Sequence, residues 1–255
     1  MIQSGLASIT FRDLSVKQII TLVCRAGLDG IEWGGEVHVP HGDLDTARIV
    51  GELTRKAGLV VTSYGSYYRA WESEHAGLSF ESVLETALAL QTRTIRVWAG
   101  AKGTADSDAQ YRANVVADLQ RIARLAEAQE IHIALEHHKN TLTDETLTAM
   151  QLIEEADVGN LRLYWQPPLG ADAEQCEESL GTFLPYLANL HVFHWALEDG
   201  ERIRLPLAKG IAPWRRYVNI VNATGRDHFA LIEFVRGDTP EQFLSDAETL
   251  KAILE

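Results

Sequence analysis

Short apolar runs alternate with longer stretches of helical period along the whole chain. Runs rich in β-branched, aliphatic and aromatic residues stand at 3–7, 30–33, 60–64, 94–98, 132–136, 162–166, 189–193 and 230–234, and read as strands. The stretches between and after them, 14–26, 44–57, 78–91, 107–129, 143–155, 173–184, 211–222 and 239–253, read as helices. Several helix starts are marked by specific chemistry. Ser15 and Gln18 fit a capping box, and Thr239, Pro240 and Gln242 supply an N-cap, a first-turn proline and a capping partner. Tyr111, Val115, Leu119 and Ile122 form one stripe, as a helix packed on a sheet requires. Strand–helix alternation of this kind predicts a parallel sheet. Eight repeats favour an α/β fold with a single (β/α)8 TIM barrel, one domain over 1–255, rather than an open doubly wound sheet. The turn after the first strand lacks GxGxxG, which argues against a dinucleotide-binding fold.

A chain of 255 residues with 46% apolar content has the size and composition to bury one barrel core. No apolar run is long enough to cross a membrane, and residues 1–12 lack the pattern of a signal peptide. Cys24 and Cys176 lie far apart in predicted helices and read as reduced thiols, so a cytoplasmic location is expected. A net charge of −13 opposes bulk electrostatic binding to nucleic acid. These features point to a small-molecule partner, with a homodimer or tetramer as the open choices of assembly.

Two short apolar runs, 131–136 and 229–233, close on an acid, Glu136 and Glu233, and a third, 187–191, closes on an imidazole, His191. A buried strand has no packing reason to end on a charge, and active sites of such barrels are built at the C-terminal strand ends. Two carboxylates and an imidazole at neighbouring strand ends suit a divalent cation. The sixth strand presents Gln166, whose amide oxygen ligates without charge. Its bland alternative is a hydrogen-bonding barrel residue. Glu32 and Trp33 end the second strand, with His38 and His41 in the loop after it, read as solvent-facing. Tyr64 and Trp98 end the third and fourth strands, aromatic planes of the kind that wall sugar sites. His138, His194, Arg204 and Lys209 are polar candidates for holding substrate. No GxSxG elbow, HExxH, P-loop or CxxC is present.

The stretches 30–43, 134–138, 190–193 and 231–238 together resemble the xylose isomerase-like barrels. That family includes sugar (phosphate) isomerases and epimerases, inosose dehydratases and endonuclease IV-type enzymes. The resemblance implies a divalent metal (Mn2+, Mg2+, Co2+ or Zn2+) on Glu136, Gln166, His191 and Glu233, with Glu136 and Glu233 as catalytic proton-transfer groups. The expected activity is isomerisation or epimerisation of a small sugar or sugar derivative by proton transfer next to a carbonyl. Alternatives on the same site are a dehydratase of a cyclic polyol or keto acid, and a non-catalytic sugar-binding relative. The departure lies in the sixth strand, where such epimerases carry Asp with a His three residues on. Here Gln166 is followed by Pro167, Pro168 and Leu169. One ligand has lost its charge, and His138 or His194 is left to fill the vacant polar role.

Overall fold

The computed structural model of the protein describes residues 1–168, 170–198 and 201–255. Eight parallel strands close into a barrel: β1 (Ile2–Ala7), β2 (Gly30–Gly34), β3 (Val60–Arg69), β4 (Thr94–Trp98), β5 (His132–Glu136), β6 (Leu161–Trp165), β7 (Leu187–Val192) and, after an inserted hairpin of β8 (His194–Glu198) and β9 (Glu201–Leu205), β10 (His228–Ile232). Going round the barrel, β1 pairs with β2 on one side and with β10 on the other, which closes the sheet. The helices α1 (Val16–Ala26), α2 (Leu44–Lys56), α4 (Phe80–Leu90), α5 (Ala109–Glu127), α6 (Thr146–Ala156), α7 (Ala173–Phe183), α8 (Ile211–Asn222) and α9 (Pro240–Leu254) form the outer ring, with a single turn α3 (Glu72–His75) before α4. Two strands, β4 and β5, have the bounds predicted from the sequence, and the others shift by one to a few residues.

Local chemistry accounts for where the helices begin. The Ser15 amide donates to Gln18 Oε1 at 2.8 Å, closing one arm of the capping box of α1. The Thr239 hydroxyl accepts from the Gln242 amide at 3.2 Å, and Pro240 occupies the first turn of α9, where no amide is needed. Tyr111, Val115, Leu119 and Ile122 are all buried, so the stripe on α5 faces the sheet as its spacing requires.

Inside the barrel, alternate residues of each strand stack in layers. Ala134, Tyr164 and Leu231 make a small apolar layer separate from the main core between sheet and helices. Above it, towards the C-terminal strand ends, the interior becomes ionic: Glu32, Arg96, Glu136, His191 and Glu233 are all buried. A barrel core has no use for five ionisable groups as packing, so this layer is the floor of a site.

The hairpin is the main departure from the predicted pattern. It projects from the barrel between β7 and α8, pairing His194 with Leu205 and Trp195 with Arg204. The segment between the seventh and eighth barrel strands is therefore ordered antiparallel sheet and not a plain βα connection.

Candidate active site

The ionic layer is organised around Arg96. Its side chain is 1% exposed, its Nε donates to Glu32 Oε1 at 3.0 Å, and its Nη1 donates to Glu136 Oε2. Gly65 on the neighbouring strand makes room, since a Cβ there would lie 2.7 Å from Arg96 Nη2. Trp98 Nε1 donates to the same Glu136 oxygen, and Ser63 Oγ donates to Glu32 Oε2 at 2.8 Å. Burial opposes ionisation of Glu32, but Arg96 and His191 outweigh it and bring its pKa down to about 2. The same balance holds Glu136 well below the usual carboxylate range.

His191 stands among three carboxylates. Its Nδ1 lies 3.6 Å from Glu136 Oε1, 3.4 Å from Glu233 Oε2 and 3.3 Å from Gln166 Oε1. Its Nε2 faces Glu32 Oε1 at 3.4 Å without hydrogen-bond alignment. Burial alone would lower the imidazole's pKa, yet Glu233, Glu136 and Glu32 raise it to about 10. Glu233 has no such cationic clamp. Burial raises it to about 7, aided by Glu136 and Glu32 against the pull of His191 and Arg96.

These donors fit a divalent cation. Glu136, His191 and Glu233 each offer a ligand atom, and those atoms lie within 4.8 Å of one another. Gln166 adds a neutral oxygen whose direction is set: its Nε2 donates to the His137 carbonyl at 2.8 Å, which leaves Oε1 turned to His191. The charge of Glu32, 3.4 Å beyond the imidazole, favours a proton on Nε2, which would leave Nδ1 free for a cation. Charge agrees as well. Glu32, Glu136 and Arg96 together carry one negative charge, and with His191 and Glu233 both deprotonated the layer carries two. A divalent cation neutralises that deficit, as two protons do in its absence.

A cavity of about 420 Å³ opens above the ionic floor. Tyr67, Trp98, Phe193, Trp195 and Phe234 give it aromatic walls, and Gln166, Pro167 and Pro168 form one edge. Phe193 and Trp195 stack at 4.0 Å, and His138 stacks on Trp98 at 4.8 Å. Two wall residues, Tyr67 and Phe234, have left-handed backbones (φ 56° and 57°), a conformation that costs about 1–3 kcal/mol and persists only where neighbours enforce it. The Phe234 amide is held by Thr10 Oγ1 at 3.1 Å. His138 Nδ1 lies 2.7 Å from the Lys139 carbonyl, which assigns the proton to Nδ1 and leaves Nε2 as a bare acceptor. Burial lowers its pKa, so the ring is neutral at neutral pH.

The structure brings Glu136, Gln166, His191, Glu233, Trp98 and His138 to one place, and puts Glu32 directly beneath them. It does not bring the remaining sequence candidates there. Trp33 is fully buried on the helix side of the sheet, donating to Thr54 Oγ1, because its neighbour Glu32 takes the inward position and strand residues alternate. Tyr64 is likewise buried and donates to the Val39 carbonyl. His194 lies in the adjoining apolar cleft against α8. Arg204 is paired with Asp238 and lies 4.6 Å from the Phe234 ring, and Lys209 is exposed on the turn before α8. Neither lines the cavity. His38 and His41, read as solvent-facing, fold inward, to the Leu14 and Ser66 carbonyls respectively. The sequence candidates did not include Phe193, Phe234 or Arg202, and carried Arg96 and Tyr67 only as a cation and an aromatic near strand ends. Arg96 had a signal: an arginine in mid-strand at an inward position needs acids, and two inward acids were present.

A sequence profile described as xylose isomerase-like TIM barrel matches residues 20–253. The chain is 26% identical over 255 residues to 3-dehydroshikimate dehydratase of Bacillus anthracis, with 90% of each chain covered. A crystal structure of a probable 3-DHS dehydratase of that organism has a TM-score of 0.81 at 24% identity, covering 98% of this chain and 99% of that one. A barrel protein of Mycobacterium smegmatis in complex with magnesium gives 0.77 at 15% identity, covering 100% and 98%. D-psicose 3-epimerase of Clostridium cellulolyticum H10 with D-tagatose gives 0.73 at 15%, covering 100% of both chains. Among the described residues, no helix is long and apolar enough to cross a membrane.

Proposed function

Because the chain belongs to the xylose isomerase-like TIM barrel family, a family with enzyme members, we propose that it is a metal-assisted lyase that removes water from a hydroxylated cyclic carbonyl compound. The first substrate to test is 3-dehydroshikimate, the compound named by the relative that matches over 90% of the chain. This reading puts the alternative expected from the sequence ahead of the isomerase. One observation carries it. Glu136 gives its Oε2 to Arg96 and Trp98, which pins it and unmatches it from Glu233 as one of a pair of bases about a stereocentre, whereas His138 Nε2 is bare and lines the cavity.

Glu136, Gln166, His191 and Glu233 would hold the cation, which when bound polarises the carbonyl oxygen. His138 Nε2 takes the proton from the carbon next to the carbonyl. The electron pair of that bond forms the new double bond as the β-hydroxyl leaves. The imidazolium returns the same proton to the departing hydroxyl, and water is released. A neutral imidazole held in one tautomer suits both halves of this transfer at neutral pH. Arg96 keeps Glu136 ionised and fixed throughout. With 3-dehydroshikimate the elimination leaves a ring dienone that enolises, a ring CH2 proton passing to the carbonyl oxygen, to an aromatic dihydroxybenzoate whose near-ultraviolet absorbance provides the assay. Absence of that absorbance with metal-loaded protein, together with a change at a ketose stereocentre under the same conditions, would favour epimerisation instead.

Two further results are expected. Metal binding should release about two protons near pH 6 and about one near pH 8.5, because His191 (about 10) and then Glu233 (about 7) must deprotonate to ligate. Affinity should therefore rise with pH, most steeply below about 7, as measured by calorimetry in buffers of differing ionisation enthalpy. No proton release at either pH would place the metal elsewhere. Gln166→Asp should tighten metal binding by roughly tenfold or more, since ligand charge sets affinity at such sites. Unchanged affinity in a folded variant would remove Gln166 from the ligand set.

A further inference from the structure

We propose that Arg202, carried over the cavity by the β8–β9 hairpin, recognises a carboxylate on the substrate, so that the site selects a hydroxylated ring acid over a neutral sugar. The inference rests on the cavity being the substrate site of the lyase described above. Its basis is the distribution of charge around the mouth. Of the cavity's cations, Arg96 is neutralised by Glu32 and Glu136, and Arg12 lies 3.7 Å from Glu36. Arg202 and Lys139 line the same cavity, and among the described residues neither has a carboxylate partner.

The hairpin puts this solvent-exposed cation at the cavity rim, on the same face as Trp195 of the cavity wall. Trp195 pairs with Arg204 and Leu197 with Arg202, which places Trp195 and Arg202 on one face. Glu198 and Glu201, paired with each other, fall on the opposite face. The Arg202 guanidinium lies 3.9 Å from the Trp195 ring centre, and Trp195 in turn stacks on Phe193. Stacking orients the planar guanidinium without using its N–H groups, which stay available for a two-pronged contact with a carboxylate. The cavity is thus polar in sense, with an anionic, metal-holding floor and a cationic rim across aromatic walls. A ring whose carbonyl and hydroxyl oxygens meet the floor would present a carboxylate at the rim.

The test compares two probes that share a catechol and differ at one substituent, a carboxylate against a neutral hydroxymethyl group, 3,4-dihydroxybenzoate and 3,4-dihydroxybenzyl alcohol, titrated calorimetrically into metal-loaded protein. Wild type should prefer the acid, and Arg202→Gln should weaken the acid by about tenfold while leaving the alcohol unchanged, as expected for a partly exposed charged hydrogen bond. Arg202→Lys should recover only part of the loss, because an ammonium cannot make the paired contact. Equal weakening of both probes, no weakening of either, or a preference abolished by Lys139→Gln but not by Arg202→Gln would overturn the proposal. A wild-type protein that keeps the preference yet fails to dehydrate 3-dehydroshikimate would remove the lyase reading and leave anion recognition standing.

Discussion

His138→Ala is expected to lower turnover by about 10²–10⁴-fold while leaving bound metal unchanged, the loss typical of removing a general acid–base group. Glu233→Gln should fail differently, losing activity together with metal. The contrast follows from position. His138 stands on the cavity wall against Trp98, with one nitrogen fixed by a backbone carbonyl and the other bare. Glu233 is one of the three groups whose donor atoms converge on a common point. Metal content of the purified variants and kcat/KM on 3-dehydroshikimate separate the two roles. A His138→Ala enzyme working within a few-fold of wild type would move the proton transfer to another group, with Glu233 the next candidate because its pKa lies near neutrality. A Glu233→Gln variant that retained metal would break the proposed ligand set instead.

The barrel was readable in the sequence because its signals are local. Strands β4 and β5 could be bounded to the residue from their β-branched runs and from the polar residues that punctuate them. That Glu136, His191 and Glu233 converge was readable for a related reason: an acid or imidazole closing an apolar run has no packing explanation, and three such runs in one parallel sheet must end at the same rim. Trp33 and Tyr64 were misplaced because their aromatic character was weighed without strand parity. Once Glu32 points inward, Trp33 must point out. The hairpin was missed although β9 alternates polar and apolar residues as a strand does. Counting strand–helix repeats leaves no place for an antiparallel insert. Arg96 needed partners 64 and 40 residues away in sequence, Glu32 and Glu136, and only the closed barrel brings them together.

Arg96→Met should destabilise the metal-free protein by about 3–5 kcal/mol, because removing one partner of a buried ion pair leaves the other charge uncompensated. For a chain of this length that corresponds to a melting temperature lower by roughly 6–20 °C. The sign of the pH dependence should change as well. In the wild type the depressed carboxylates stabilise the fold above their unfolded pKa, and that contribution is lost as pH falls towards about 2 for Glu32. Without the guanidinium, burial is opposed mainly by His191, and Glu32 and Glu136 are expected to rise past their unfolded values. Their stabilising form is then the protonated one, so the variant should become more stable as pH drops below neutrality. Two independent ways of restoring charge should both rescue it. A saturating divalent cation should raise the melting temperature of the variant more than that of the wild type, and Arg96→Met combined with Glu136→Gln should recover much of the loss by deleting one orphaned charge. A single variant that melts within about 1 °C of wild type, with an unchanged pH profile, would mean that the guanidinium neutralises nothing the barrel depends on. The ionic floor would then owe its order to the metal alone. If the rescue is seen, Arg96 is the group that lets three carboxylates share one barrel interior before any metal arrives.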